Sequence, residues 1–485
     1  MTAIHRVLHE PARPPSIAGQ RNAHWFVVAT VCLGAFMGQL DASIVTLALP
    51  TLSRDFHVPI GAVEWVSLSY LLVLVATVAA VGRAADIVGR KLLYVYGFGI
   101  FVLGSGLCGL APSLGWLIGA RILQAVGAAM LQANSVALIF HAMPKDKLGR
   151  GLGVQGAAQA MGLALGPVIG GLIVGLFSWR WIFFVNVPVG ILGMLLGWFL
   201  LPRSRDLETR AQFDWLGTLL FVPAVASVLL SLSEAARVGW TSTQVVVLLV
   251  TAAILLALFM TRERATPSPL IDLRLFQHRT FSAGILGGLL AYLVLFGALF
   301  VIPFYLETSR HHTAIEAGLE LAILPIMLGV AAPFAGRWTD RWGVRIVTMC
   351  GMSLVAGGFL MMATVPHGAG FRIAALAFVG TGLGGFTPAN NTAIMTSAPR
   401  RQSGMAGGIL NMTRGLGTAL GVALAAFVYT AASGATVAGQ GSGTQGFVAS
   451  MVVLAALSLV AIWIAHFQSG GRSSDTTLPT AGVSA

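Results

Sequence analysis

Charge is what this sequence lacks most. Only 9% of its 485 residues are Asp, Glu, Lys or Arg, against about 25% in an ordinary soluble domain. Hydrophobic residues make up 56%, more apolar surface than a water-soluble globule can hide. Cysteine is scarce too: Cys32, Cys108 and Cys350 are the three present, all in apolar stretches and far apart, which argues against a disulfide framework or a metal site. No G-x-x-x-x-G-K-[ST] stretch occurs, so an ATP-driven pump is not expected, and H-E-x-x-H and G-x-S-x-G are missing as well. GLGVQG at 151–156 and GTGLGG at 380–385 fit G-x-G-x-x-G, but neither follows a strand in a βαβ unit, so neither predicts a dinucleotide site. Nothing reads as an enzyme's active site, and no cofactor or metal is expected. The first 23 residues are polar and broken by prolines, which predicts no cleaved signal peptide and a first span kept in the chain.

Long apolar runs and glycine are abundant instead. A bilayer-spanning helix needs about 20 apolar residues, and runs of that kind recur about fourteen times, from 26–49 through 447–467. The 59 glycines suit helices that approach closely within lipid. The formal charge of +12 points to a membrane surface rather than to nucleic acid, because of where the charge falls. With the N-terminus in the cytoplasm, 22 of the 29 lysines and arginines lie at the cytoplasmic side. Five (Arg54, Arg180, Arg237, Arg310 and Arg372) lie opposite, and Arg121 and Arg414 lie within spans. This bias follows the positive-inside rule and predicts a multi-pass protein of the cell membrane with both termini cytoplasmic.

GRAADIVGRK at 82–91 reappears as GRWTDRWGVR at 336–345. Gly82, Arg83, Asp86 and Gly89 match Gly336, Arg337, Asp340 and Gly343, and Lys91 matches Arg345. Eight spans separate the copies, so both fall on one side of the membrane. The expected organisation is a cytoplasmic tail over 1–25 and a six-helix half over 26–201. An inserted helix pair with linkers follows at 202–282, then a second six-helix half at 283–467 and a disordered tail at 468–485. Repeated halves of this kind place a substrate site near the midplane between them.

Four stretches make the chain resemble the major facilitator superfamily, in particular its fourteen-span drug:proton antiporter branch. GRAADIVGRK is similar to the signature loop between spans 2 and 3. The resemblance implies that Gly82, Arg83, Asp86, Gly89, Arg90 and Lys91 form a conformational latch, with Asp86 facing a helix N-terminus or a neighbouring arginine. LDASIVTLALP at 40–50 resembles the branch signature in span 1. Its Asp41 sits in an apolar helix, where a charged carboxylate costs several kcal/mol unless it finds a partner. LIGARILQAVGAA from Leu117 resembles the span 4 signature centred on an arginine, here Arg121, with Ala125 where a glycine is usual. Asp41 lies about 12 Å and Arg121 about 9 Å below the outer ends of their spans at 1.5 Å per residue, so they can pair. GLALGPVIGG at 162–171 resembles the antiporter motif, implying that Gly162, Gly166, Pro167, Gly170 and Gly171 allow bending and close packing. WRWIFFVNVPVG at 179–190 is a further hallmark-like stretch.

The resemblance implies an all-α major-facilitator fold that exports hydrophobic or cationic compounds in exchange for protons, acting as a monomer. Asp41 and Arg121 would couple to protons. Gln124, Asn134, Glu320, Asn390, Asn391 and Arg414 are candidate cavity residues, with Gln132 and the Asn411–Arg414–Gly417 arrangement beside them, in a cavity of apolar and aromatic groups with a few acidic ones. Export of an endogenous metabolite or antibiotic on the same fold is the alternative, and a polytopic membrane enzyme or receptor a remote one.

Overall fold

A computed structural model describes residues 10, 13–58, 60–204, 213–310, 312, 314–364, 368–433 and 443–468. The expected tail over 468–485 therefore lies, Gln468 apart, outside the described residues. Among the described residues, fourteen helices are long and apolar enough to cross a membrane. They are α1 (Ala23–Phe56), α2 (Trp65–Val88), α3 (Arg90–Gly109), α4 (Leu114–Ala142), α5 (Leu148–Leu176), α6 (Trp181–Leu200), α7 (Trp215–Val238), α8 (Thr243–Ala265), α9 (Arg279–Arg310), α10 (Ala314–Trp342), α11 (Val344–Ala363), α12 (Ala369–Ser397), α13 (Ser403–Ser433) and α14 (Gly443–Ala465). In lipid every backbone polar group needs an internal partner, which helices supply. Many large apolar side chains remain on the surface, Leu176, Trp215, Leu219 and Trp463 among them, as expected of helices that face lipid tails.

The halves meet at the end that carries the α2–α3 turn, and there the repeat explains itself. A Cβ on Gly82 of α2 would run into the Gly404 carbonyl of α13, and one on Gly336 of α10 into the Gly149 carbonyl of α5. Backbones approach this closely only where side chains are missing. One turn on, Asp86 accepts hydrogen bonds from the Gly404 and Met405 amides, each at 2.8 Å. Asp340 accepts from the Gly149 and Arg150 amides at 2.8 and 3.1 Å. Each half thus supplies a carboxylate that caps the exposed N–H groups of the other half's helix, where the helix dipole also favours negative charge. Asp86 further accepts from Arg90 at 2.5 Å, so it meets both a helix N-terminus and an arginine.

The basic cluster here is not a surface loop. Gly89 alone separates α2 from α3, with φ of 117°, a conformation glycine adopts readily. Arg83, Arg90 and Lys91 are buried. Arg90 donates to the Arg400 and Arg401 carbonyls at 3.3 and 3.2 Å, and Lys91 to the Leu201 carbonyl at 2.8 Å. Helix continuity drives this: with no loop residues to spare, the cations reach inward to carbonyls at helix ends. The N-terminal segment is likewise partly packed. Glu10 accepts from the Ser204 amide and hydroxyl at 2.6 and 2.9 Å, and Arg13 donates to the Leu200 carbonyl.

Above the latch, close contacts between halves continue to Val75 against Gly415 and Ala160 against Gly329. The buried core at the closed end mixes both halves, with Val78, Ala133 and Ala137 packed among Ile394, Met405, Ile409 and Leu410. Toward the other end each half closes on itself. Ile44, Val66, Leu117, Trp179 and Phe183 form a cluster within the first half, pinned by the Trp179 indole donating to Asp55 at 2.8 Å. The α7–α8 pair packs outside, with Phe221, Val225, Leu229 and Phe259 covering the seam at the closed end. The glycines of GLGVQG and GTGLGG lie in α5 and α12 and serve helix crossings: Gly153 against Ala332, Gly380 against Leu324.

Gly82→Leu or Gly336→Leu should hold the latch open. Spin labels at the closed ends of α2 and α13, or of α5 and α10, should then separate by about 2 Å more, the range over which packed helices vary with the side chains between them. An unchanged separation would remove these glycines from the closure.

Candidate functional site

Asp41 sits in α1 where α1, α4 and α6 converge, wholly buried. Arg121 of α4 donates to it at 2.7 Å, Gln124 of the next turn at 2.9 Å and Asn186 of α6 at 2.8 Å. The spacing of Arg121 and Gln124 on α4 puts both on one helix face. Arg121 also donates to the Gln124 side-chain oxygen at 2.7 Å and, through Nε, to the Val66 carbonyl of α2 at 3.1 Å. Its guanidinium lies 4.0 Å from the centre of the Tyr70 ring. Asn186 ties the group outward through Ser105 at 3.2 Å, which in turn donates to the Phe183 carbonyl. A charge out of water is tolerable only when paired and fully hydrogen-bonded, and both conditions are met here.

The expected Asp41–Arg121 pair therefore forms, in wider company than the sequence suggested. Asn186, within the stretch 179–190, is the one amide side chain in an otherwise apolar helix start, and that isolation is its signal in the sequence. Gly162 and Gly166 of α5 pack on α1 beside this site, against Phe36, Gln39, Leu40 and Ser43. Helix α5 runs unbroken from Leu148 to Leu176. The Pro167 side chain lies outside the described residues, Gly170 is buried, and Gly171 faces open space, where no packing demands a glycine.

A cavity of about 260 Å³ lies between the halves beyond the latch. Leu71, Leu74, Val75, Leu295, Phe296 and Leu328 give it an apolar wall. Its polar lining includes Gln39, Tyr70, Arg121, Gln132, Tyr292, Asn411 and Arg414. Arg121 faces the cavity and Asp41 lies one side chain behind it. Among the described residues no carboxylate lines the wall, so the expectation of a few acidic wall groups is corrected. The acids that the sequence placed in the membrane turn inward to arginines or to helix ends, where desolvation is compensated.

Of the six candidate cavity residues, Arg414 lines the wall. Gln124 is withdrawn into the Asp41 cluster. Asn134 donates to the Met130 carbonyl one turn back. Asn390 donates to the Gly284 carbonyl of α9 and accepts from Gln468, bracing the closed end. Asn391 stands behind Arg414, accepting from it at 2.6 Å. Glu320 of α10 binds Arg372 of α12 through two hydrogen bonds at 2.6 and 2.9 Å. Arg372, read from the sequence as an outer-loop cation, is a buried residue of the first turn of α12, drawn in by that pairing.

Comparison with known proteins agrees with this architecture. The family model described as Major Facilitator Superfamily matches residues 31–262, 213–421 and 284–480. The chain belongs to the major facilitator superfamily. It is 35% identical over 401 residues to the riboflavin transporter RibZ of Clostridioides difficile, covering 82% of this chain and 87% of RibZ. It is 35% identical over 411 residues to the multidrug resistance protein Stp of Mycobacterium tuberculosis, covering 83% of this chain and 75% of Stp. Its place is in the drug-efflux branch of the superfamily. The solved human organic anion transporter MFSD10 shares the fold at a TM-score of 0.65 and 16% identity, over 93% of this chain and all of that one. The chain is thus a multi-pass membrane transporter rather than an enzyme.

Removing one partner of a buried ion pair costs about 3–5 kcal/mol. Arg121→Gln should accordingly lower the melting temperature of the purified protein clearly, and the double change Asp41→Asn with Arg121→Gln should restore more than half of the loss. Melting of the single variant at the wild-type temperature would mean that the pair holds nothing together.

Proposed function

We propose that this transporter exports hydrophobic compounds in exchange for protons by alternating access, with Asp41 as the proton-binding group. The observation that carries the reading is the buried Asp41–Arg121 contact at 2.7 Å, with Arg121 on the cavity wall. A proton on Asp41 would cancel the attraction that holds Arg121 back and leave its guanidinium free to enter the cavity. A desolvated cation among Leu71, Leu74 and Leu295 would weaken the binding of an apolar or cationic occupant. Proton and substrate then compete without touching one another, which is the thermodynamic requirement for exchange. With the termini cytoplasmic, the reciprocal carboxylate caps close the cytoplasmic side. Opening there would exchange those caps for contacts at the other end as the halves rock. One chain supplies both walls of the cavity, which supports a monomeric unit in the cell membrane.

A second reading is favoured by the wall itself. Two arginines and no carboxylate among the described lining residues suit a neutral or acidic metabolite better than a quaternary ammonium drug, and a similar protein is named as a riboflavin transporter.

Reconstituted wild-type protein under an imposed pH gradient should move a hydrophobic dye against its gradient. Asp41→Asn should abolish that movement, by more than tenfold, while dye exchange without a gradient persists. Wild-type coupling in the Asp41→Asn protein would remove this carboxylate from the mechanism.

A further inference from the structure

The two cavity arginines differ in one respect. Arg121 is neutralised by Asp41 at 2.7 Å. Arg414 of α13 is also buried, at 6% exposure, yet its partners are neutral. It donates to the Asn391 side-chain oxygen at 2.6 Å and to that of Asn411 at 3.3 Å, and its guanidinium lies 5.1 Å from the centre of the Tyr292 ring. Among the described residues no carboxylate stands within ion-pair distance of it. The cavity wall therefore carries one uncompensated positive charge, in a chamber whose remaining lining is amide, hydroxyl or apolar.

An ionised side chain at membrane depth without a counter-ion is costly. Amide oxygens and a ring face soften that cost but leave the charge in place. A low-dielectric cavity also concentrates the field of a single charge on whatever enters. Beside Arg414, Tyr292 and Phe296 both face the cavity and stack with ring centres 6.1 Å apart, an aromatic shelf next to the cation. From this geometry we infer that Arg414 is the anchor for an anionic group, and that the preferred ligand is an apolar, aromatic compound bearing one acidic group such as a carboxylate. The inference rests on the reading of this cavity as the transport site and narrows its substrate class; it does not rest on the competition argued above for apolar or cationic occupants, because an anion would gain from an Arg121 freed by a proton on Asp41. Arg414 recognises the anion by a charge-assisted hydrogen bond, and the aromatic shelf receives the apolar body. Asn391 and Asn411 hold the guanidinium without neutralising it, which is the property an anion site needs.

The test uses three probes of one shape: anthracene bearing a carboxylate, a carboxamide or a trimethylammonium group. Their binding to the full-length protein in lipid nanodiscs can be read by anthracene fluorescence. For the wild-type protein the carboxylate should bind at least about tenfold more tightly than the carboxamide, the gain of one charge-assisted contact, and the ammonium more weakly than both. Arg414→Gln should bring the carboxylate-to-carboxamide ratio close to one. Because that change could disturb folding, Asn391→Asp provides a second arm. It keeps Arg414 and the side-chain shape but supplies an internal counter-ion at 2.6 Å, and it too should collapse the ratio. Equal binding of all three probes, binding of none, or a ratio that survives both substitutions would overturn the inference. Proton-coupled flux is measured separately in proteoliposomes. A carboxylate preference that vanishes in both variants, without any proton-coupled flux, would sink the exchange reading above and leave the anion site standing.

Discussion

A charge withdrawn from water has to be answered inside the protein, and that requirement organises this molecule. Lipid offers no hydrogen bonds, so every carboxylate in the bundle must find N–H groups or a guanidinium. Asp41 takes three donors from two other helices, Asp86 and Asp340 take backbone amides across the halves, and Glu320 takes Arg372. Each answer joins helices that are distant in sequence. The polar residues are few, and they are the joints.

The joints are of two kinds. Asp41 and Glu320 tie helices within one half and help make each half a stiff body. Asp86 and Asp340 tie one half to the other, and they do so through helix N-termini whose N–H groups could equally be hydrated. A contact that water can replace at modest cost suits a reversible closure. A fully buried pair such as Asp41–Arg121 does not come apart cheaply unless one member changes its charge. The architecture thus separates a seam of helix-end caps from a fully buried ion pair.

Much of this was legible in the chain. Fourteen apolar runs, the arginine segregation and the repeat at 82–91 and 336–345 led to the layout of helices without any coordinates. Asp41 and Arg121 stood out because ionised residues are rare at that depth, and their similar depths allowed them to pair. The candidate cavity residues fared differently. Gln124, Asn134 and Asn390 are as polar and as deeply set as Gln132 or Arg414, yet they turn away from the cavity. Depth can be counted along a helix, but the direction a residue faces depends on how that helix is rotated against its neighbours. A helix advances about 100° per residue, so small errors in rotation exchange wall for core. Glycine-rich helices with small residues on several faces give little warning of which face is inward.

Sequence by itself settled the solvent, the number of spans and the presence of one acid and one base in the first half at depths that let them meet. Hydropathy and charge are properties of single segments, and lipid tests each segment separately. Tertiary structure decided that Asn186 completes the Asp41 cluster, that Arg372 leaves its loop for Glu320, and that Arg414 lies on the cavity wall held by the Asn391 and Asn411 side chains. Those outcomes depend on contacts between helices far apart in the chain, and no stretch of residues carries them alone.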